Sequence, residues 1–202
     1  MLANRKALRR TAPLSLAVLS LAALSLAGCS TPPWETPGSS ATPSASVSPA
    51  QPVPNDLSSG ATARSLTTGP LAVSINYWST LSMEKWTPGA LKPVSLSLIT
   101  TITPNDGQKV YLQRASMIAT PASATQTFDP LSAQVDSATT NPGYLVLDPY
   151  SYSQTFTVGP TLEGATYVTL DFTYEFLVQS TPTSSEYAKQ TATDTITVAI
   201  AP

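Results

Sequence analysis

Every second residue from Val168 to Val178 is apolar: Val168, Leu170, Phe172, Tyr174, Phe176 and Val178. Between them stand Thr169, Asp171, Thr173, Glu175 and Leu177. A helix would scatter six such residues around its circumference. A strand collects them on one side, because successive side chains point to opposite faces. Thr166 to Gln179 is therefore predicted to be a strand with one face buried against a second layer.

The same period of two recurs along the chain. Leu71, Val73, Ile75 and Tyr77 share one strand face, and Val94, Leu96, Leu98 and Ile102 share another. Lys109 to Ala119, Tyr144 to Leu147 and Tyr152 to Val158 read as further strands. Polar clusters at Thr103 to Gln108 and Thr139 to Gly143 mark turns. Asp106-Gly107 supplies a positive-φ step, so the strands on either side of it are expected to form a hairpin. The last strand sets Ile196, Val198 and Ile200 against Thr195, Thr197 and Ala199. Paired antiparallel with Thr166 to Gln179, it is expected to place Phe172 by Ile196, Leu170 by Val198 and Val168 by Ile200. A one-residue slip would turn the apolar row outward. Seven or eight short strands within residues 70–202 predict an all-β domain, an antiparallel β-sandwich.

Glu163-Gly164-Ala165-Thr166-Tyr167 opens the long penultimate strand. This resembles the tyrosine corner of immunoglobulin-like and fibronectin-type sandwiches. The resemblance implies an immunoglobulin-like or related sandwich, and it implies no activity. Tyr167 falls on the polar parity of its strand, and no cysteine pair is present to bridge the sheets.

The chain contains no histidine and one cysteine, Cys29. Histidine-based triads and the commonest zinc sites are excluded on that ground. No Gly-x-Ser-x-Gly elbow and no glycine-rich phosphate loop occurs. Asp171 and Glu175, four apart on one strand, would stand roughly 13 Å from each other. That is wider than the ~5–10 Å of a glycosidase pair, so they read as solvated acids. The single carboxylate of Asn105-Asp106-Gly107 falls short of a calcium loop. No cofactor or metal is expected. A hydrolase with an unrecognised carboxylate or serine site is the least favoured class.

Cys29 itself is informative. Arg5, Lys6, Arg9 and Arg10 precede the apolar run Leu14 to Leu26, and no acid lies among them. A basic start, a short apolar run and small residues form a secretory signal peptide. The run is shorter than the ~20 apolar residues a membrane span needs. Leu26-Ala27-Gly28-Cys29 resembles the lipobox of bacterial lipoproteins. The resemblance implies cleavage before Cys29 and a diacylglycerol on its thiol, and two acyl chains hold a protein stably on a membrane. The expected address is the extracytoplasmic face of a bacterial cell membrane.

Seven prolines between Pro32 and Pro54, spaced by Ser, Thr and Ala, follow the cysteine. Such composition does not build a core. The expected organisation is a signal peptide at 1–28, a lipidated cysteine and linker at 29–69, and the sandwich at 70–202. Twelve acidic residues against six basic ones follow Cys29, so nucleic acid is not an expected partner. The first functional expectation is a non-enzymatic envelope protein that binds another envelope protein or assists a membrane complex. The alternative is a module binding cell-wall glycan. For either, the candidate binding residues are Asn76, Tyr77, Trp78 and Trp86. Tyr77 is on the core parity, Trp78 and Asn76 face outward, and Trp86 follows in a loop. Aromatic side chains beside polar groups stack on sugars and anchor protein interfaces. The competing expectation is that Met83 and Trp86 fold back as a lid over the open end of the sandwich.

Overall fold

The computed structural model describes residues 52–202. Cys29, the signal segment and the linker as far as Gln51 lie outside the described residues. Pro49–Pro202 forms a compact unit, and its described residues enclose one hydrophobic core.

Alternating apolar residues produce nine strands: β1 Ala61–Thr68, β2 Leu71–Trp78, β3 Lys92–Ile102, β4 Val110–Ala122, β5 Gln134–Ser137, β6 Tyr144–Leu145, β7 Tyr152–Val158, β8 Tyr167–Gln179 and β9 Tyr187–Ala199. A 3-10 turn, Met83–Lys85, stands between β2 and β3. One sheet has the order β1-β2-β3-β7. The other has the order β5-β4-β8-β9, with β6 also on β4. All pairings between these strands are antiparallel. The protein is an all-β sandwich, as its periodicity predicts. In the immunoglobulin order the third strand opens the second sheet; here β3 stays beside β2.

The predicted core rows face inward. Leu71, Val73, Ile75 and Tyr77 of β2 are buried, as is the alternate row of β8, Val168, Leu170, Phe172, Tyr174, Phe176 and Val178. Phe172 joins the layers, its ring 4.9 Å from Tyr77 and 6.1 Å from Phe156 of the other sheet.

Three expectations need correction. The linker ends earlier than Gly69: β1 lies within the expected linker, and Leu57 before it is fully buried in the core. Edge strand β1 carries Ala, Thr, Ser and Arg around a single large apolar residue, Leu66, which gives it too little apolar alternation to be seen from sequence. Gly69-Pro70 closes its hairpin with β2, and a Cβ on Gly69 would meet Gln190 Oε1 at 2.7 Å.

β3 and β4 do not form a hairpin. Both edges of β3 are occupied, by β2 and β7, so the intervening turn carries the chain across to the other sheet, where β4 pairs with β8. Gly107 has the expected positive φ, +98°. The turn was legible, but its long-range partners were not.

The β8–β9 register differs by two residues from the expected one. Leu170 faces Ile196, Val168 faces Val198, and Phe172 faces Asp194. A shift of two preserves parity, so both registers bury the same side chains and periodicity cannot choose between them. The connecting loop accompanies the observed choice, with the Ser180 N–H donating to Glu186 O at 3.0 Å and Gln179 Nε2 to Ser184 O at 2.6 Å.

Side chains close both flanks of the sandwich. On the β1–β9 flank, Thr68 Oγ1 donates to Thr191 O at 2.9 Å. On the β7–β5 flank, the Thr157 N–H donates to Gln134 Oε1 at 3.0 Å, and the Tyr152 hydroxyl donates to Asp136 Oδ2 at 2.6 Å.

Candidate functional site

The most elaborated region is the end of the sandwich where the chain arrives from its N-terminal side. Three segments converge there: the β2–β3 loop, the β7–β8 loop and residues 199–202. Asp56 fastens the incoming chain. Its N–H donates to Thr197 O at 2.8 Å, and its Oδ2 accepts from the Thr197 N–H at 2.7 Å.

Trp86 plugs this end and is fully buried. Its indole N–H donates to Ser79 Oγ at 3.2 Å, which satisfies the one polar atom that burial would otherwise strand. Ser79 also accepts from the Leu81 N–H at 3.2 Å and donates to Pro93 O at 2.6 Å. Trp86 O accepts from the Ala201 N–H at 2.9 Å. Trp86 is thus the lid, and its ring is closed to a surface ligand. Tyr77 is likewise fully buried. Trp78 is half-buried on the outer face of its sheet, and Asn76 is exposed on the same face. Of the four candidate residues, the structure leaves these two on the surface and puts the other two in the core. Cys29 lies outside the described residues.

Lys92 is the residue that sequence reasoning missed. It occupies an inward position at the start of β3 and is fully buried. Its ammonium lies 2.8 Å from Ala90 O, 3.0 Å from Thr87 O, and 3.3 Å from both Pro88 O and Gly159 O. The charge is solvated by peptide carbonyls in place of water, and it ties the β2–β3 loop to the end of β7. Burial lowers its pKa from the ordinary lysine value. A signal was available, because Lys92 extends the inward parity of Val94, Leu96 and Leu98 by one step.

Against this end lies an apolar pocket of about 800 Å³. Val53, Pro88, Ala165, Ala199, Ile200 and Pro202 supply its apolar lining, and Glu163 is its one charged residue. Thr161 also lines it, and the Thr161 hydroxyl is buried without a hydrogen-bond partner. No known protein family matches this chain, and no curated protein is significantly similar to it.

The other candidate chemistries are occupied by structural contacts. Asp171 Oδ1 accepts from the Thr195 hydroxyl at 2.8 Å, and Glu175 pairs with Lys189 at 2.8 Å, both on the outer face of β8 and β9. In the Asn105–Gly107 turn, the Gly107 N–H donates to Asn105 Oδ1 at 3.1 Å. Among the described residues, no three His, Cys, Asp or Glu side chains form a group able to hold a metal ion. Ser82 and Lys85 stand at the spacing of a serine nucleophile and lysine base, but both are exposed around the 3-10 turn. Tyr167 is half-exposed on the outer face opposite Ala199, so it does not form the inward corner that its motif suggests.

A second polar cluster lies deep in the core. The Tyr77 and Tyr174 hydroxyls are 3.0 Å apart, one from each sheet. Asp194 projects from β9 on the same inward parity, its Oδ2 buried and without a partner. Burial first, then Tyr174 and the Asp194 charge, push the Tyr77 phenol far above its ordinary range. Burial also raises Tyr174, against a lowering by its hydrogen bond with Tyr77 and with a smaller push up from Asp194. These phenols are fully buried in the core and act as internal fasteners.

Proposed function

We propose that this chain is a lipid-anchored extracytoplasmic protein of a bacterial cell membrane, non-enzymatic, whose β-sandwich works by binding. The observation that carries the reading is a conjunction. The Leu26-Ala27-Gly28-Cys29 motif and a proline-rich tether lead to the end of a sandwich that holds an apolar pocket. An anchored domain meets envelope components at high local concentration, so modest affinity suffices. Partners on this reading are the membrane, through the N-terminal lipid, and an envelope component that engages the tether end.

The test has two parts. Metabolic labelling with an alkyne-tagged fatty acid marks the wild-type chain in the membrane fraction, and Cys29→Ser abolishes the label. Photo-crosslinking from Gly89 in intact cells then yields a discrete adduct. Persistence of the label in Cys29→Ser, or the absence of any adduct, refutes the corresponding part.

The glycan reading has one observation in its favour. Half-buried Trp78 and exposed Asn76 sit on a sheet face with Ser74, Ser95 and Ser97. On that reading tryptophan fluorescence shifts when wall polysaccharide is added, and Trp78→Ala removes the shift. Trp86, being internal, contributes nothing to it.

A further inference from the structure

We infer that the pocket at the tether end takes the acyl chain of a membrane lipid with an uncharged or zwitterionic head. The inference rests on the lipid-anchor reading for its distance to the bilayer.

Three observations lead to this occupant. The first is size. About 800 Å³ lies within the ~300–1,000 Å³ of small-molecule sites, and exceeds what one docking side chain fills. The second is chemistry. Val53, Ala165, Ala199, Ile200 and two prolines offer aliphatic surface with no aromatic platform for a sugar. No basic residue lines the pocket to receive an anionic head, and Glu163 repels one. Lys92, the nearby ammonium, is committed to four carbonyls.

The third is position. Val53, itself part of the lining, stands 24 positions after Cys29. A chain of that length spans roughly 25–30 Å as a coil and about 75 Å as extended polyproline II. On the lipid-anchor reading the pocket is therefore tethered within about 75 Å of the bilayer whose lipids would fill it. Backbone bonds tie the segments around it together: Pro88 O accepts from the Thr161 N–H at 2.9 Å, and Trp86 O from the Ala201 N–H at 2.9 Å.

Gly89 supplies a clean test. A Cβ there meets nothing within 4 Å, and its backbone is not left-handed, so a large side chain is accommodated at the pocket lining without strain. The soluble chain Ser30 to Pro202 contains the whole described fold and lacks Cys29, so its result is independent of lipidation. The probe is a monoacylglycerol carrying an environment-sensitive fluorophore. Saturable uptake, displaced by unlabelled monoacylglycerol, is expected for the wild type. Gly89→Trp weakens uptake at least tenfold with an unchanged urea midpoint, and Ala199→Trp on another wall does the same. Palmitate displaces the probe at least tenfold less well. No saturable uptake by the wild type, or uptake unchanged in both tryptophan variants, overturns the inference. Equal displacement by palmitate overturns the assignment of the head. Loss of labelling in Cys29→Ser stands or falls separately, so failure of the anchor and failure of the pocket are told apart.

Discussion

Removing one hydroxyl from the Tyr77–Tyr174 pair costs more than removing both. The two oxygens are 3.0 Å apart, and both tyrosines are fully buried. In Tyr77→Phe the Tyr174 hydroxyl keeps its desolvation cost and loses its partner. That penalty is about 1–3 kcal/mol, and Tyr174→Phe carries a similar one. In the double variant no hydroxyl is stranded, the rings still fill the same space, and the cost falls to within about 1 kcal/mol of wild type. The cycle therefore shows a coupling of about 2–3 kcal/mol. Urea unfolding of the soluble chain at pH 7 measures it. For a domain of this size, 2 kcal/mol moves the thermal midpoint by about 4–8 °C, so calorimetry gives a second reading. Additive single costs would refute the reasoning. They would mean that each hydroxyl serves another acceptor, and the buried, unpartnered Oδ2 of Asp194 is the candidate.

The phenols also predict alkaline lability. Burial raises the pKa of Tyr77, Tyr174 and Tyr152, so the folded chain keeps protons that the unfolded chain releases above pH 10. Their contribution is complete below pH 10 and is lost above it, at about 1.4 kcal/mol per pH unit for each phenol. Lys92 has the opposite sign, adding stability as pH rises toward 10.5, so urea midpoints between pH 10.5 and 11.5 isolate the tyrosines. Tyr152→Phe should flatten that fall by about a third, and a level profile would refute the account. Lys92→Met keeps the aliphatic stem but leaves Ala90 O and Gly159 O without the ammonium. A net loss of about 1–3 kcal/mol is expected, with faster amide exchange at residues 87–90, and unchanged exchange there would remove Lys92 from its tying role. Ser79→Ala strands the Trp86 indole N–H and costs about 1–3 kcal/mol, measured by urea unfolding, and a cost below about 0.5 kcal/mol would mean that another acceptor takes over.

Sequence alone determined which faces are buried. Side-chain direction in a strand depends only on parity, so the inward rows of β2, β3 and β8, and that of β9 from Ile196 on, were readable residue by residue. Two chemically telling residues were readable by the same rule: Lys92 extends the inward row of β3, and Asp194 that of β9. Tertiary structure decided everything that parity leaves degenerate. The β8–β9 register differs from the alternative by two residues with identical burial, and loop closure is not written in hydrophobic alternation. The turn at Asp106-Gly107 is local, but whether it joins neighbours in one sheet or crosses to the other depends on which edges β2 and β7 already occupy. β1 escaped notice because an edge strand buries too little to carry a pattern. The pocket escaped for a deeper reason. Its walls come from Val53, the loops around Gly89 and Thr161, and Ile200, and only the fold brings those stretches together at the end where the tether arrives.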